Sequence, residues 1–366
     1  RIGFRSGRDF FRRVLWEYFK KYSAFFAVGF IFTLKTLWLV WQASRGENLM
    51  SIRGLSGAGI AIVIIFVLSA PYFLPSYHLY LLSLVMISII LALGLNVLTG
   101  NSGQISLCHS SFMAIGAYTF TILNNQMHLP MLVSAALAVL ISSGGGWLVG
   151  FPARRLGGIY LALATLAFLA LTQTIIEEFP DWTGGIRGLK LDITALQLTP
   201  AEMALLKFYS VALSCAVCLY MVRNLMSFPV GRAFDAIRTS PQAAQALGID
   251  VSRVKLTAFV FSAAYAGWAG VLFAWVVGFI DPVEFGVGAT LKHITFIVVG
   301  GTGSILGSVL GAISLTMLPE LLRSIKEYSD LVYALLLLGS LMFMPKGLVG
   351  LGAALAKLTQ MAKNNK

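Results

Sequence analysis

The sequence predicts an all-α polytopic membrane protein, and three observations predict it. Of the 366 residues, 58% are hydrophobic and only 11% charged, too few charges to cover a soluble globule of this size. Apolar stretches recur at about 17 to 22 residues, near the ~20 that a helix needs to cross a ~30 Å hydrocarbon core. The basic residues behind the net charge of +12 fall in short runs between those stretches. A nucleic-acid binder would gather them along one face, whereas positive-inside topology places them in cytoplasmic loops. The expected neighbour is membrane lipid, and no nucleic acid.

Residues 1–56 form a basic N-terminal extension. Arg1, Arg5, Arg8, Arg12, Arg13, Lys20 and Lys21 alternate with aromatic residues, as in an amphipathic helix lying on an anionic membrane face. Ala24 to Trp41 is long enough for one extra helix, but crossing there would set Arg45 and Arg53 on the side opposite the basic start. Met50 to Arg53 reads like a natural start.

Residues 57–351 form the transmembrane domain. Spans are expected at 58–74, 79–98, 111–124, 130–150, 158–176, 206–222 and 256–279, for about 8 to 10 transmembrane helices once the ends and a broken segment are added. Arg154 and Arg155 put their loop in the cytoplasm, as do Arg223, Arg232, Arg238, Arg253 and Lys255. The acidic loop from Glu177 to Ala204 and the loop at 279–290, which holds Asp281 and Glu284, then face outward. Lys346, Lys357, Lys363 and Lys366 place the basic tail, 352–366, inside.

Two segments resist a simple count. Leu291 to Met317 is long for one span and short for two, and Gly300-Gly301-Thr302-Gly303-Ser304 interrupts it. Gly94 to Tyr118 is interrupted in a similar way, and the two breaks share Gly-x-x-Gly-x-Ile at Gly100, Gly103, Ile105 and Gly300, Gly303, Ile305. Freed backbone groups at membrane depth must be buried in protein or line a cavity. Paired glycine-broken segments point to a transporter built from repeats, with its pathway at their interface.

The longest polar run between apolar segments, Phe228 to Leu256, reads as short cytoplasmic helices at 231–237 and 241–247. Ser240 is placed to cap the second, Pro241 to start it and Gly248 to close it. Gln242-Ala243-Ala244, Leu247 and Gly248 give it a small-residue face that another protein can approach closely. The spacing resembles the coupling helix of ABC importer permeases, with Gln242 where Glu is usual.

Gly94-Leu95-Asn96, Gly100, Gly103-Gln104, Ser106-Leu107, His109, Phe112 and Ile115-Gly116-Ala117-Tyr118 resemble the signature of the LivM-type branched-chain amino-acid permease family of ABC importers, although Cys108 stands where that family usually has Gly. The stretches from Phe151, Val230, Leu256 and Val298 are similar to it as well. The resemblance implies a multi-pass permease of the bacterial inner membrane. It implies as partners a second, LivH-like permease, two cytoplasmic ATPases that carry the ATP and Mg, and an external substrate-binding protein. Urea and short-amide importers share these motifs, so the resemblance leaves cargo open.

Gln104, Ser106 and His109 are polar groups in an apolar region and are candidates to line the pathway, together with Gly100, Gly103, Gly300, Gly301, Thr302, Gly303 and Ser304. Each also has a purely structural reading. The serines can bond back to helix carbonyls, His109 to one backbone group, and the glycines can serve close helix packing. Pro241, Gln242, Ala243, Ala244, Leu247 and Gly248 are the candidates for ATPase coupling.

Nothing points to an enzyme, a metal or a cofactor bound by this chain. The spans hold almost no carboxylates, there is no G-x-x-x-x-G-K-[ST] phosphate loop, and Cys215 and Cys218 lack the second pair a zinc site needs. An ion-coupled transporter is the competing class, and the scarcity of intramembrane Asp and Glu counts against it.

Overall fold

Five helices are long and apolar enough to cross a bilayer among the residues described by the computed structural model, which are 69–192 apart from 72, 199–321, and isolated positions at 331, 335, 338 and 339. They are α1 (Ser76–Leu95, continued to Asn101 by a π-helical turn), α3 (Met131–Ala153), α4 (Gly158–Glu178), α5 (Pro200–Ser227) and α8 (Val251–Val277). They fall on the expected spans. The span expected at 111–124 is the 17-residue helix α2 (His109–Asn125). The segment 291–317 divides as its glycines predict, into α9 (Val287–Gly300) and α10 (Ile305–Leu321). The extension at 1–56, most of the span at 58–74 and the tail at 352–366 lie outside the described residues.

Burial separates core helices from peripheral ones. Of the most apolar window of α1, 72% is buried, and of α8, 67%, against 33% or less for α3, α4 and α5. Helices apolar all round but buried on one side face lipid or another apolar protein surface. α8 is the hub because small residues let α2 and α3 approach its backbone. A Cβ on Gly116 would overlap the Gly267 carbonyl, and one on Gly270 would overlap that of Met113. The buried Ser142 hydroxyl of α3 lies within hydrogen-bond reach of both the Phe112 carbonyl (3.0 Å) and the Ala263 carbonyl (2.8 Å), joining three helices at one hydroxyl.

The two ends differ as charge predicts. At one, β1 (Leu189–Lys190) and β2 (Phe279–Ile280) pair antiparallel, joining the two loops assigned to the outside. Asn125 adds bonds to the Lys190 carbonyl (2.7 Å) and the Asp192 amide (2.9 Å). At the other end lie the arginine-bearing loops and the helices α6 (Pro229–Thr239) and α7 (Pro241–Ala246). α6 is strongly amphipathic and buries Gly231, Phe234 and Ile237. At 28 residues α5 is about 42 Å long and overshoots a ~30 Å core; it starts in a Thr199–Glu202 capping box.

Candidate translocation and coupling site

The first glycine break begins where α1 loosens into π-helix. The Ser102 amide reaches the Val97 carbonyl (3.1 Å) and the Gln104 amide the Leu98 carbonyl (3.1 Å). Gly103, at φ +69, then turns the chain back, a conformation that glycine adopts without steric cost. Residues up to Cys108 are non-helical, and from Gly103 to Ser106 they alternate in burial. Ser102, Gln104 and Ser106 turn into the protein, while Gly103 and Ile105 are exposed, Ile105 by 52%. The segment climbs from the Lys255 carbonyl, met by Gln104 (3.3 Å), to Thr165 midway along α4, whose hydroxyl accepts from the Leu107 amide (2.9 Å). Among the described residues the Ile105 and Ser106 amides have no hydrogen-bond partner.

α2 therefore starts at mid-depth, with His109 fully enclosed at its first turn. Nε2 lies 3.0 Å from the Leu91 carbonyl, which only accepts, so it carries the proton. Nδ1 then accepts from the Ser262 hydroxyl at 3.2 Å. Both ring nitrogens of a neutral imidazole are thereby used in tying α2 to α1 and α8. Ser110 hydrogen-bonds Thr290 of α9 through their hydroxyls.

The second break turns at Gly301 (φ +122) and Gly303 (φ +82). Ser304 caps α10, its hydroxyl accepting from the Gly307 amide (3.2 Å) and its carbonyl from the Ser308 amide (3.0 Å). Gly300, Gly307 and Gly311 bring α9 and α10 together without side chains between them. Thr302 is exposed at the tip, and Gly303 and Ser304 are half-buried.

The two breaks meet. Asn96 accepts from the Gly303 amide (2.8 Å) and donates to the Ser304 carbonyl (3.2 Å), and Asn101 donates to the Gly303 carbonyl (3.4 Å). A Cβ on Gly100 would sit 2.5 Å from the Gly303 nitrogen. The junction lies against α6, where the aliphatic stem of Arg238 is 3.4 Å from the space beside Gly103 and its guanidinium covers Gly303.

α7 follows after the single residue Ser240, whose hydroxyl accepts from the Ala243 amide at 3.2 Å. It ends in a Schellman motif. The Ile249 amide reaches the Ala244 carbonyl (3.1 Å), the Gly248 amide the Gln245 carbonyl (3.0 Å), and Gly248 sits at φ +83. Ala244 is buried; Pro241, Gln242, Ala243 and Gly248 are exposed, and Leu247 is 81% exposed.

The pathway candidates thus divide. The breaks at 100–104 and 300–304 come together at the end that carries α6 and α7, Gln104, Ser106 and His109 point into the chain's own interior, and Thr302 is exposed, as is Gly103 beside the Arg238 stem. The coupling candidates share one exposed helix. Sequence reasoning passed over Asn96, Ile105 and Arg238 as site residues. Asn96, an amide in an otherwise apolar helix just before a break, was the detectable signal.

The family model described as branched-chain amino acid transport system / permease component matches residues 77–343. The chain is similar to the high-affinity branched-chain amino acid transport system permease protein LivM of Salmonella typhimurium strain LT2, with 34% identity over 303 residues, covering 76% of this chain and 71% of that protein. LivM of Escherichia coli K12 matches with the same identity and coverage. The autoinducer 2 import system permease protein LsrC of Escherichia coli strain K12 / DH10B is 29% identical over 309 residues, covering 78% of this chain and 84% of that protein. No solved structure matches.

Proposed function

The chain belongs to the branched-chain amino acid transport system permease family, and from that premise we propose that it passes branched-chain amino acids across the membrane in an ATP-driven importer. It is a multi-pass transport subunit of the ABC class, a class that works with ATPase and binding-protein components. The finer assembly in this proposal is a second, LivH-like permease, two ATPases holding ATP and Mg, one external binding protein, and a cytoplasmic C-terminus.

The observation that carries the reading is the non-helical segment 103–107. Its Ile105 and Ser106 amides have no partner among the described residues, and its Gly103 and Ile105 face is exposed between the Lys255 and Thr165 levels. Lipid cannot solvate such backbone, so this face borders an aqueous pathway or the partner permease across it. Free amides suit a carboxylate without the cost of an unpaired intramembrane arginine, and Ile105 beside them suits an aliphatic side chain. A zwitterion with an apolar side chain, such as leucine, isoleucine or valine, fits this face better than urea, which needs more side-chain hydrogen-bonding partners.

Relatives named for autoinducer 2 import show that family membership alone leaves cargo open. Competition in reconstituted vesicles holding both permeases, the ATPases and the cognate binding protein decides it. ATP-dependent uptake of labelled leucine that excess urea leaves unchanged is the expected result. ATP-dependent urea uptake without leucine transport would overturn the cargo, and uptake by this chain alone would overturn the ATP-driven class.

A further inference from the structure

The junction of the two glycine breaks contains two polar side chains to which the transport reading above gives no role. Asn96 offers its carbonyl to the Gly303 amide (2.8 Å) and its NH₂ to the Ser304 carbonyl (3.2 Å), so the partners fix the amide's orientation. A buried Asn held at both ends by one loop acts as a clasp, since either end left unmade would cost a desolvated polar group. Gly100 lies flush on the same loop, with room for nothing larger. Arg238 then spans both halves from the cytoplasmic side, its Cα and Cγ 3.5 and 3.4 Å from the space beside Gly103 and its guanidinium over Gly303. No hydrogen bond or ion pair is recorded for that guanidinium among the described residues, so its role is one of contact.

We propose that Arg238 is the positioning residue through which α6 moves both glycine-broken segments at once, with Asn96 clasping them into one body. The proposal rests on the importer reading, in which ATPases push on α7. Three features give it a mechanical path. α6 and α7 are separated only by Ser240, whose backbone and side chain both bond within the pair, so a push on α7 is delivered to α6. α6 is anchored by the buried Phe234 and Ile237, and Arg238 follows them directly, at the end nearest α7. The element receiving the push is compliant, because the first break opens in a π-helical turn, a departure from regular helix that recurs at functional sites, and Gly103, Gly301 and Gly303 all sit at positive φ, where large dihedral changes meet no Cβ. An arginine that merely solvated the surface would have none of these neighbours, and its removal would be silent.

The test uses the complete transporter in vesicles and reads ATP hydrolysed per leucine imported. Arg238→Ala should raise that ratio about tenfold, within the range of ordinary coupling energies, while subunit assembly and hydrolysis without the binding protein stay unchanged. Arg238→Met, which keeps the stem across Gly103 and removes the head over Gly303, should raise it less, and Asn96→Leu should raise it as Arg238→Ala does. Spin labels at Ile105→Cys and Thr302→Cys, both exposed, give a second readout that needs no variant of either residue. Their separation should stay constant through the ATP cycle, because the breaks move as one. A wild-type ratio in Arg238→Ala, or a label separation that changes with nucleotide, would overturn the proposal. ATP hydrolysis with no leucine import by the unaltered transporter would instead overturn the importer reading beneath it.

Discussion

Gly248 has two separable reasons to be glycine. Its φ of +83 closes the Schellman motif of α7, which L residues other than Asn resist. It also has nothing within 4 Å of where a Cβ would stand among the described residues, so no contact there forbids bulk. Gly248→Asn tolerates the dihedral and adds modest bulk, and should keep measurable uptake. Gly248→Trp should leave the chain in the membrane and abolish ATP-driven uptake, because in the proposed importer an ATPase closes on the exposed side of α7; normal transport by that variant would contradict the docking. Gly248 was legible from spacing alone, since helix termination is a local property. His109 was legible only as a polar residue needing partners, because the Leu91 carbonyl and Ser262 that satisfy it come from elsewhere in the chain.

Among elements, α8 shows what small residues do. Gly270→Leu would drive a side chain into the Met113 carbonyl of α2, where backbone cannot yield cheaply, and overpacking of this kind typically costs about 1–3 kcal/mol. Gly288→Leu, at the exposed start of α9 with nothing within 4 Å, is the matched control, expected to stay within about 0.5 kcal/mol. Thermal unfolding in detergent should separate the two, and equal midpoints would remove the close-packing argument. The broken spans were readable from glycines at fixed spacing. That they share an interface was readable from their pairing, but the residues that dock them were not, since Asn96 and Gly303 are brought together by the whole arrangement of α1, α9 and α10.

At the scale of the molecule, charge sorted the loops into the two groups that the fold keeps apart. The two acidic loops assigned to the outside share a strand pair, and the arginines of α6 and its neighbours gather at the opposite end. That much follows from solvation energy, which composition reports directly. What composition does not report is where other chains sit. The exposed faces of α4 and α5 are apolar and that of α7 carries Gln242 and Gln245, and neither character alone names the chain that covers it. In the proposed importer α7 receives the ATPase and passes its motion to the glycine breaks. This coupling is tested most directly by a photo-crosslinking residue at Leu247, 81% exposed on that helix, in the assembled, leucine-transporting complex. The expected result is a crosslink to an ATP-binding subunit whose yield changes with nucleotide. A crosslink only to lipid or to the second permease, in a complex that still imports leucine, would contradict it.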